Sequence, residues 1–258
     1  MKKISAVIAT KNEERNIRAC LESVKWADEI VVVDDGSTDR TVEICREYTS
    51  KILVNNSRGS FHVNKNLGID RSNGDWILSM DSDERVTAEL ALEIKDVVNR
   101  TEKVGFYIGR KNYFLGKWIK GCGWSPDYII RLFRKEITRW PLEIHDVPKI
   151  EGKDRVGYLC NPMIHISYRN LEQYLDKFGK YTTRLAHEEY EKGIRARKAN
   201  FVHLFLVKPS YWLFRKYVLQ GGYNDGFRGF FISVGSALTI LITYAKVWEM
   251  QQTQQSGL

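Results

Sequence analysis

The first hundred residues alternate between short apolar runs and longer segments in which apolar residues recur every three or four positions. The short runs, such as EIVVVD, are rich in β-branched residues and are typical of buried strands. The longer segments are typical of amphipathic helices. Four strands are predicted, at 4–9, 29–34, 51–54 and 75–80. Helices are predicted from the N-cap Asn12 onward, toward Tyr48, near 61–71 and over 87–99.

This alternation predicts an α/β fold, a mostly parallel sheet with helices on both faces. Such sheets bind ligands beyond the carboxyl ends of their strands. Polar clusters follow three of the four predicted strands, so we expect the clusters to line a single crevice. Their candidate ligand-binding residues are Thr10, Asn12 and Glu13, then Asp34 and Asp35, then Asp81 and Asp83.

The pattern loosens after about Gly105. Strands are predicted at 106–114 and 128–134, and a polar helix is predicted at 171–192. The segment 229–245 carries no charge and has about the shortest length that can span a membrane. We therefore expect a catalytic domain at 1–168, made of a nucleotide-binding half at 1–100 and an acceptor half at 101–168, followed by a helical region at 169–258.

The amino-acid composition of the chain limits the kinds of molecule that it can be expected to bind. The chain has 258 residues and 43% hydrophobic residues, which is enough for a folded core and argues against disorder. Its net charge of +8 favours an anionic partner, and the basic excess is concentrated at 195–228. The four cysteines form no CxxC pair, which is typical of reduced thiols in the cytosol.

The sequence MDSDE holds the pair Asp81 and Asp83 at the end of a predicted strand. A hard cation such as Mg²⁺ or Mn²⁺ is bound by one or two carboxylates together with substrate phosphates. The alternative is that these acids favour the N-terminus of the next helix, where Glu84 would act as a cap. A nucleic-acid partner is not expected, because an acid-rich crevice repels phosphates unless a metal is present.

Five stretches occur in a characteristic order: IATKNEERNI, VVVDDGSTDRT, NKNLGID, GDWILSMDSDE and YIIRLF with EIHDV. In this order they resemble the motifs of family-2 glycosyltransferases, which have a GT-A fold, use nucleotide-diphosphate sugars and invert the anomeric centre. Within that family the chain is most similar to β-glucosyltransferases of lipopolysaccharide core biosynthesis. The resemblance implies a sugar donor, with UDP-glucose the best guess, and a lipid-linked glycan acceptor such as lipopolysaccharide inner core.

The resemblance also implies roles for individual residues. The nucleotide pocket would be lined by Thr10, Asn12, Glu13 and Asp35, with Asp34 beside them. Lys65 would neutralise the diphosphate. Asp81 would contact ribose or metal, and Asp83 would ligate the metal.

Inversion requires a base that deprotonates the acceptor hydroxyl. The resemblance favours Asp146 for this role, with Glu143 as the rival, and His145 would orient the acceptor or approach the metal. Arg131 would reach the diphosphate or an anionic acceptor, unless it lies on a solvated edge strand. Trp124 would stack on acceptor sugars, unless it only packs within its loop.

The stretch EITRW resembles the QxxRW signature of processive synthases but lacks its Gln, so transfer of a single sugar is expected. The basic, aromatic tail is expected to lie on the anionic inner face of the cell membrane. The alternatives are a helical hairpin docked on the domain or on a partner protomer, which leaves a homo-oligomer open. Other acceptors, polyprenyl-linked or capsular, and a non-catalytic scaffold that binds nucleotide sugars also stay open.

Overall fold

The computed structural model describes residues 1–57, 60–141 and 148–256. The chain forms two compact units. The first unit contains Met1–Lys111 and Asp127–His165, and the second contains Asn112–Pro126 and Ile166–Leu258. The loop before Asp127 therefore groups with the C-terminal helices and not with the sheet that surrounds it in sequence.

Ten strands form the sheet in the described part of the chain. They are β1 (Ile4–Thr10), β2 (Glu29–Asp34), β3 (Ile52–Val54), β4 (Trp76–Asp81), β5 (Glu84–Arg85), β6 (Gly105–Phe114), β7 (Lys117–Trp118), β8 (Tyr128–Arg134), β9 (Val156–Tyr158) and β10 (Met163–Tyr168). Their order is β3-β2-β1-β4-β8-β6-β10-β5, and β7 and β9 pair with β6.

The register of β1 to β4 determines where the predicted site lies. These four strands run parallel, with Thr10 opposite Asp34 and Ala9 opposite Asp81. The ends of β1, β2 and β4 therefore meet at one edge of the sheet, as predicted. β8 pairs antiparallel with β4, and β6 pairs antiparallel with β8, so the sheet is mixed but mostly parallel around the site. The α/β prediction is confirmed.

Four helices belong to the first unit: α1 (Glu14–Val24), α2 (Thr41–Arg46), α3 (Phe61–Arg71) and α4 (Ala88–Arg100). The predicted apolar face of α1 is buried, including Ile17 and Leu21. The prediction that Asn12 caps α1 was wrong. The backbone of Asn12 is left-handed, with φ of 51°, and the N-cap position belongs to Glu13.

The second unit is mainly helical. Its helices are α5 (Leu171–Glu191), α6 (Lys208–Phe214) and α7 (Phe227–Ser256), and π-helical turns at His203–Val207 and Arg215–Leu219 flank α6. α5 and α6 both pack on α7. Gly229 allows a close approach of the backbone, because a Cβ there would overlap the carbonyl oxygen of Gly222.

One helix of the described residues, Phe227–Thr253, is long and apolar enough to cross a membrane by length and composition alone. A third of its most apolar window is buried within the protein. It makes polar contacts with α5, since the Lys246 ammonium donates to the carbonyl of Gly179 and to the hydroxyls of Thr182 and Thr183.

Candidate active site

Asp35 directly follows β2 and is buried. Its Oδ1 accepts hydrogen bonds from the Ser57 amide at 2.7 Å and hydroxyl at 2.6 Å, and from Asn64 Nδ2 at 3.1 Å. The Lys11 ammonium lies 3.0 Å from Oδ2. Burial by itself raises the pKa of Asp35, but these hydrogen bonds outweigh it and lower the pKa to about 2. The carboxylate is therefore ionised at neutral pH.

Asp34 serves the turn that follows it. Its Oδ2 accepts the amides of Gly36 and Ser37 at 3.0 and 2.8 Å, and its Oδ1 accepts the Ser37 hydroxyl at 2.5 Å. A buried Asp that satisfies its own loop in this way fixes the loop's shape. The two adjacent acids thus have different surroundings, and Asp35 is the one held by residues from elsewhere in the chain.

The loop after β1 is bonded to the loop after β2. The amide of Thr38 donates to Asn12 Oδ1 at 2.8 Å, and the amide of Asn12 donates to the Ser37 hydroxyl at 2.8 Å. Glu13 accepts Asn16 Nδ2 at 2.6 Å. The buried Oγ1 of Thr10 has no hydrogen-bond partner in the described part of the protein. Among these predicted pocket residues, Thr10 therefore has a hydroxyl at the end of β1 that no described residue binds.

Asp81 is held between two buried cations. Its Oδ1 lies 2.6 Å from the Lys65 ammonium, and its Oδ2 lies 2.6 Å from Arg131 Nη2. Burial raises the pKa of Asp81, but the charges of Arg131 and Lys65 hold it well below the usual range. Sequence analysis assigned Lys65 to a diphosphate. In the structure its ammonium binds Asp81.

Arg131 is 1% exposed on β8, an interior strand, so the interpretation of a solvated edge face was wrong. Besides Asp81, its Nη2 lies 2.6 Å from Glu84 Oε1. Its Nε and Nη1 have no hydrogen-bond partner among the residues that the structure describes. Arg131 therefore fixes the end of β4 by binding two carboxylates from inside the protein.

The expectation that Glu84 caps the next helix was wrong. Glu84 is fully buried, and its Oε2 accepts the amide of Asp81 at 2.9 Å. The cap of α4 is Thr87, whose hydroxyl accepts the amide of Leu90 at 3.2 Å. Glu84 therefore completes the charge cluster around Asp81.

Trp140 lies beside both cations. The Lys65 ammonium is 3.9 Å from its ring centroid, and the Arg131 guanidinium is 5.4 Å away. The indole N–H donates to the Ser79 hydroxyl at 3.0 Å, and the Asn66 side chain bonds both the amide and the carbonyl of Trp140. Sequence analysis gave EITRW no role, whereas its tryptophan is part of the buried support of Asp81.

Asp83 and His165 come together although they are far apart in sequence. His165 lies on β10 opposite Glu84 of β5, and its Nε2 is 3.6 Å from Asp83 Oδ1. Sequence analysis predicted Asp83 as a metal ligand but missed His165. The available signal was a single histidine in the alternating run MIHISY.

The donor set of this pair suits a divalent cation. No cluster of three or more His, Cys, Asp or Glu side chains suited to a metal is found in 1–57, 60–141 and 148–256. A site shared with a diphosphate does not need one, since Mg²⁺ commonly takes one or two protein carboxylates and completes its shell with phosphate and water. The carboxylate of Asp83 fits that requirement, and His165 lies close enough to orient that carboxylate or to supply a nitrogen ligand to Mn²⁺.

The remaining predicted site residues are Trp124, Glu143, His145 and Asp146. Trp124 belongs to the second unit, where its ring meets Phe114 edge-on at 6.0 Å and lies 6.3 Å from Tyr168. That environment supports the alternative of loop packing. Asp146, Glu143 and His145 lie outside the described residues.

Three carboxylate clusters at the carboxyl edge of a mostly parallel sheet are typical of ligand-binding α/β domains. The sequence model of glycosyl transferase family 2 matches residues 5–148, which is more than half of the chain. The chain therefore belongs to glycosyl transferase family 2, and it is a glycosyltransferase. This finding confirms the resemblance drawn from the sequence motifs.

Two relatives match nearly the whole chain. Lipopolysaccharide core biosynthesis glycosyltransferase LpsC of Rhizobium meliloti (strain 1021) is 28% identical over 262 residues, which cover 95% of this chain and 92% of LpsC. Uncharacterized glycosyltransferase RT0209 of Rickettsia typhi (strain ATCC VR-144 / Wilmington) is 30% identical over 263 residues, which cover 97% of this chain and 88% of the relative.

The fold is also found in solved structures. The crystal structure of S. aureus TarS 1-349 in complex with UDP has a TM-score of 0.51 to this chain, with 14% identity, 99% of this chain covered and 92% of that chain covered. At this identity the similarity shows the fold alone. It confirms the GT-A architecture predicted from the sequence.

Proposed function

We propose that this glycosyltransferase moves one sugar from a nucleotide-diphosphate sugar to a lipid-linked glycan and inverts the anomeric centre. The observation that carries the proposal is the strand register, which places Thr10, Asp35 and Asp81 at one edge of the sheet. In the proposal residues 1–168 perform the transfer, and residues 169–258 keep the enzyme at the membrane.

The nucleotide would bind at the ends of β1 and β2. Asp35 is ionised and can accept hydrogen bonds from a base or ribose. Thr10 Oγ1 has no partner in the described part of the chain and can take part in the same recognition. Asn12 and Glu13 connect the two loops, since Asn12 Oδ1 accepts the amide of Thr38 and the amide of Glu13 donates to the hydroxyl of Thr41.

The diphosphate would lie near Asp81. Arg131 and Lys65 place two positive charges 2.6 Å from the partly exposed Asp81, and their combined field favours a diphosphate there. Asp83 and His165 would hold Mg²⁺ or Mn²⁺, which would stabilise the negative charge of the leaving diphosphate. In this assignment Asp81 orders the cations and Asp83 is the metal ligand.

Two observations support the proposed donor and acceptor. The sequence motifs resemble lipopolysaccharide core β-glucosyltransferases, and LpsC, a relative across 95% of this chain, is named for lipopolysaccharide core biosynthesis. UDP-glucose and a lipopolysaccharide inner core are therefore the proposed substrate pair. The acceptor hydroxyl would be deprotonated by Asp146.

The enzyme would be peripheral on the cytoplasmic face of the membrane. Large apolar side chains of the second unit are exposed, for example Val202, Leu206 and Phe214. A bilayer-spanning α7 is disfavoured, because α5 packs along α7 and carries charges at nearly every turn, as in Asp176 and Lys180. An interfacial position needs no burial of those charges.

A thermal-shift screen tests the donor. Each nucleotide sugar is added to the full chain at saturating concentration, with Mn²⁺ or with EDTA, and UDP alone is the control for the nucleotide. A ligand at 100 times its Kd raises the free energy of unfolding by about 2.7 kcal/mol. UDP-glucose with Mn²⁺ is expected to give the largest shift. No shift with any nucleotide sugar would overturn the proposal.

The base is tested by two isosteric changes. Asp146→Asn is expected to leave the donor-induced thermal shift intact while transfer falls by about 10² to 10⁴, the usual contribution of a general base. Glu143→Gln is the matched control and is expected to keep most of the transfer rate. The reverse result would assign the base to Glu143.

A further inference from the structure

A cavity of about 640 Å³ opens in the second unit between the segment 196–205 and the end of α7. Its apolar lining includes Phe201, Phe205, Ala245 and Trp248. The rings of Phe201 and Phe205 stack at 4.8 Å. The volume falls within the range of about 300–1,000 Å³ that ligand sites occupy. The proposed transfer reaction uses none of these residues.

Two basic residues, Arg197 and Lys198, also line the cavity, and both are exposed. None of the described residues that line the cavity is acidic. Neither basic side chain forms an ion pair within the described part of the chain. An apolar cavity bordered by two uncompensated positive charges suits a molecule with an apolar chain and an anionic head.

The segment that carries Phe201 and Phe205 of the cavity also carries exposed apolar side chains, here called the apolar stripe. The segment 201–219 is helical throughout, with π-helical turns on both sides of α6, and it exposes large apolar side chains along its whole length. The members of the stripe are Val202, Leu206, Tyr211, Phe214 and Val218. Trp248 and Phe201, which line the cavity, are also about half exposed. Several large apolar side chains exposed along one helical segment are typical of an interaction surface.

We propose that the cavity binds an anionic phospholipid, with an acyl chain against Phe201, Phe205 and Trp248 and the phosphate on Arg197 and Lys198. The site rests on the proposed membrane-facing position of the tail and adds to it the recognition of individual lipids. The phospholipid is favoured over a neutral lipid because two positive charges meet the headgroup. It is favoured over free phosphate because most of the lining is apolar.

The experiment measures binding of monomeric dihexanoyl-phosphatidylglycerol to the full chain, below the concentration at which the lipid forms micelles. Binding is followed by Trp248 fluorescence, taken as the difference between the wild-type chain and W248F. A saturable change is expected with phosphatidylglycerol, and phosphatidylcholine of the same chain length is expected to bind about tenfold more weakly. Inorganic phosphate at the same concentration is expected to give no change and no competition.

Two pairs of variants locate the site. Ala245→Phe fills the cavity and is expected to abolish binding, whereas Ala199→Phe, at an exposed position beside the cavity lining, is the control and binds normally. Arg197→Gln with Lys198→Gln is expected to weaken phosphatidylglycerol binding about tenfold and to leave phosphatidylcholine binding unchanged. Lys2→Gln with Lys3→Gln, in the first unit, is the charge control.

Three results would overturn the proposal. The first is equal binding by Ala245→Phe and Ala199→Phe. The second is full competition by inorganic phosphate. The third is a concentration-dependent dimer that Ala245→Phe abolishes, which would assign the cavity to a second copy of the chain. Because the probe is a monomeric lipid and the readout is not transfer, failure here is separate from failure of catalysis, and vesicle sedimentation tests the membrane position by itself.

Discussion

The two units depart from ordinary burial in opposite ways. The first unit buries charge: Lys65 is 4% exposed, and Arg131 and Glu84 are exposed by 1% or less. The second unit exposes apolar surface, as at Leu206 and Leu219. Burying a charge and exposing an apolar stripe both cost free energy unless other groups offset that cost. Buried charges need partners, and an exposed apolar stripe needs a covering surface.

In the first unit the buried charges are neutralised by other side chains of that unit. In the second unit the proposed covering surface of the apolar stripe is the membrane. The carboxylates of Asp81 and Glu84 lie 2.6 Å from the cationic groups of Lys65 and Arg131. The buried positive charges of the first unit are therefore paired with negative charges of the same unit. No such partner covers Leu206 within the described residues. The buried charges of the first unit thus have partners within that unit, whereas the second unit exposes apolar side chains such as Leu206. The predictions below test each half of this contrast.

The largest expected effect is loss of stability on breaking the buried charge cluster. Arg131→Met leaves Asp81 and Glu84 without their shared guanidinium, and removing one partner of a buried pair costs about 3–5 kcal/mol. The free energy of unfolding, measured by urea titration, is the readout. Arg100→Met is the control, because its pair with Asp96 is exposed and is worth less than about 1 kcal/mol. Equal effects of the two changes would mean that the cluster is not coupled.

The second effect concerns the proposed metal site at Asp83 and His165. Asp83→Ala and His165→Ala are each expected to lower the transfer rate by about 100-fold or more, since a metal supplies several kcal/mol of transition-state stabilisation. The Mn²⁺ concentration needed for half-maximal rate should rise in both. Asp70→Ala removes an exposed acid of the first unit and serves as the control. Unchanged transfer by the wild-type enzyme in EDTA would exclude a metal role for both residues.

The site shows which features local sequence patterns can predict. The four strands and the clusters at their ends were predictable, because burial and strand period appear directly in the sequence, as in EIVVVD. The support of Asp81 was not. Glu84, Trp140 and His165 act through contacts between residues far apart in the chain, and a local pattern carries no information about such pairs. For the same reason no local pattern showed that Lys65 is buried and paired with Asp81.

The third effect is a pH dependence of stability at Asp35. Its pKa falls from 3.8 to about 2 on folding, so the ionised form contributes about 2 kcal/mol of stability at neutral pH. That contribution is complete above the unfolded pKa and is lost as pH falls through about 4 toward 2. Urea titrations of the wild type and Asp35→Asn should therefore differ most at pH 6, and the difference should shrink as pH falls through about 4 and vanish only below about pH 2. A gap that is independent of pH would show that Asp35 acts through packing and not through its charge.

The smallest effect concerns the exposed apolar stripe of the second unit. Leu206→Ser removes an apolar side chain that is 58% exposed, so the free energy of unfolding should change by less than about 0.5 kcal/mol. Sedimentation with anionic vesicles should nevertheless weaken by about fivefold, because partial burial of a leucine in the interface is worth about 1 kcal/mol. Leu92→Ser, at a position in the first unit that is 69% exposed, is the matched control and should sediment like the wild type. Equal loss of sedimentation in both variants would mean that the two units do not differ in how their apolar surface is used.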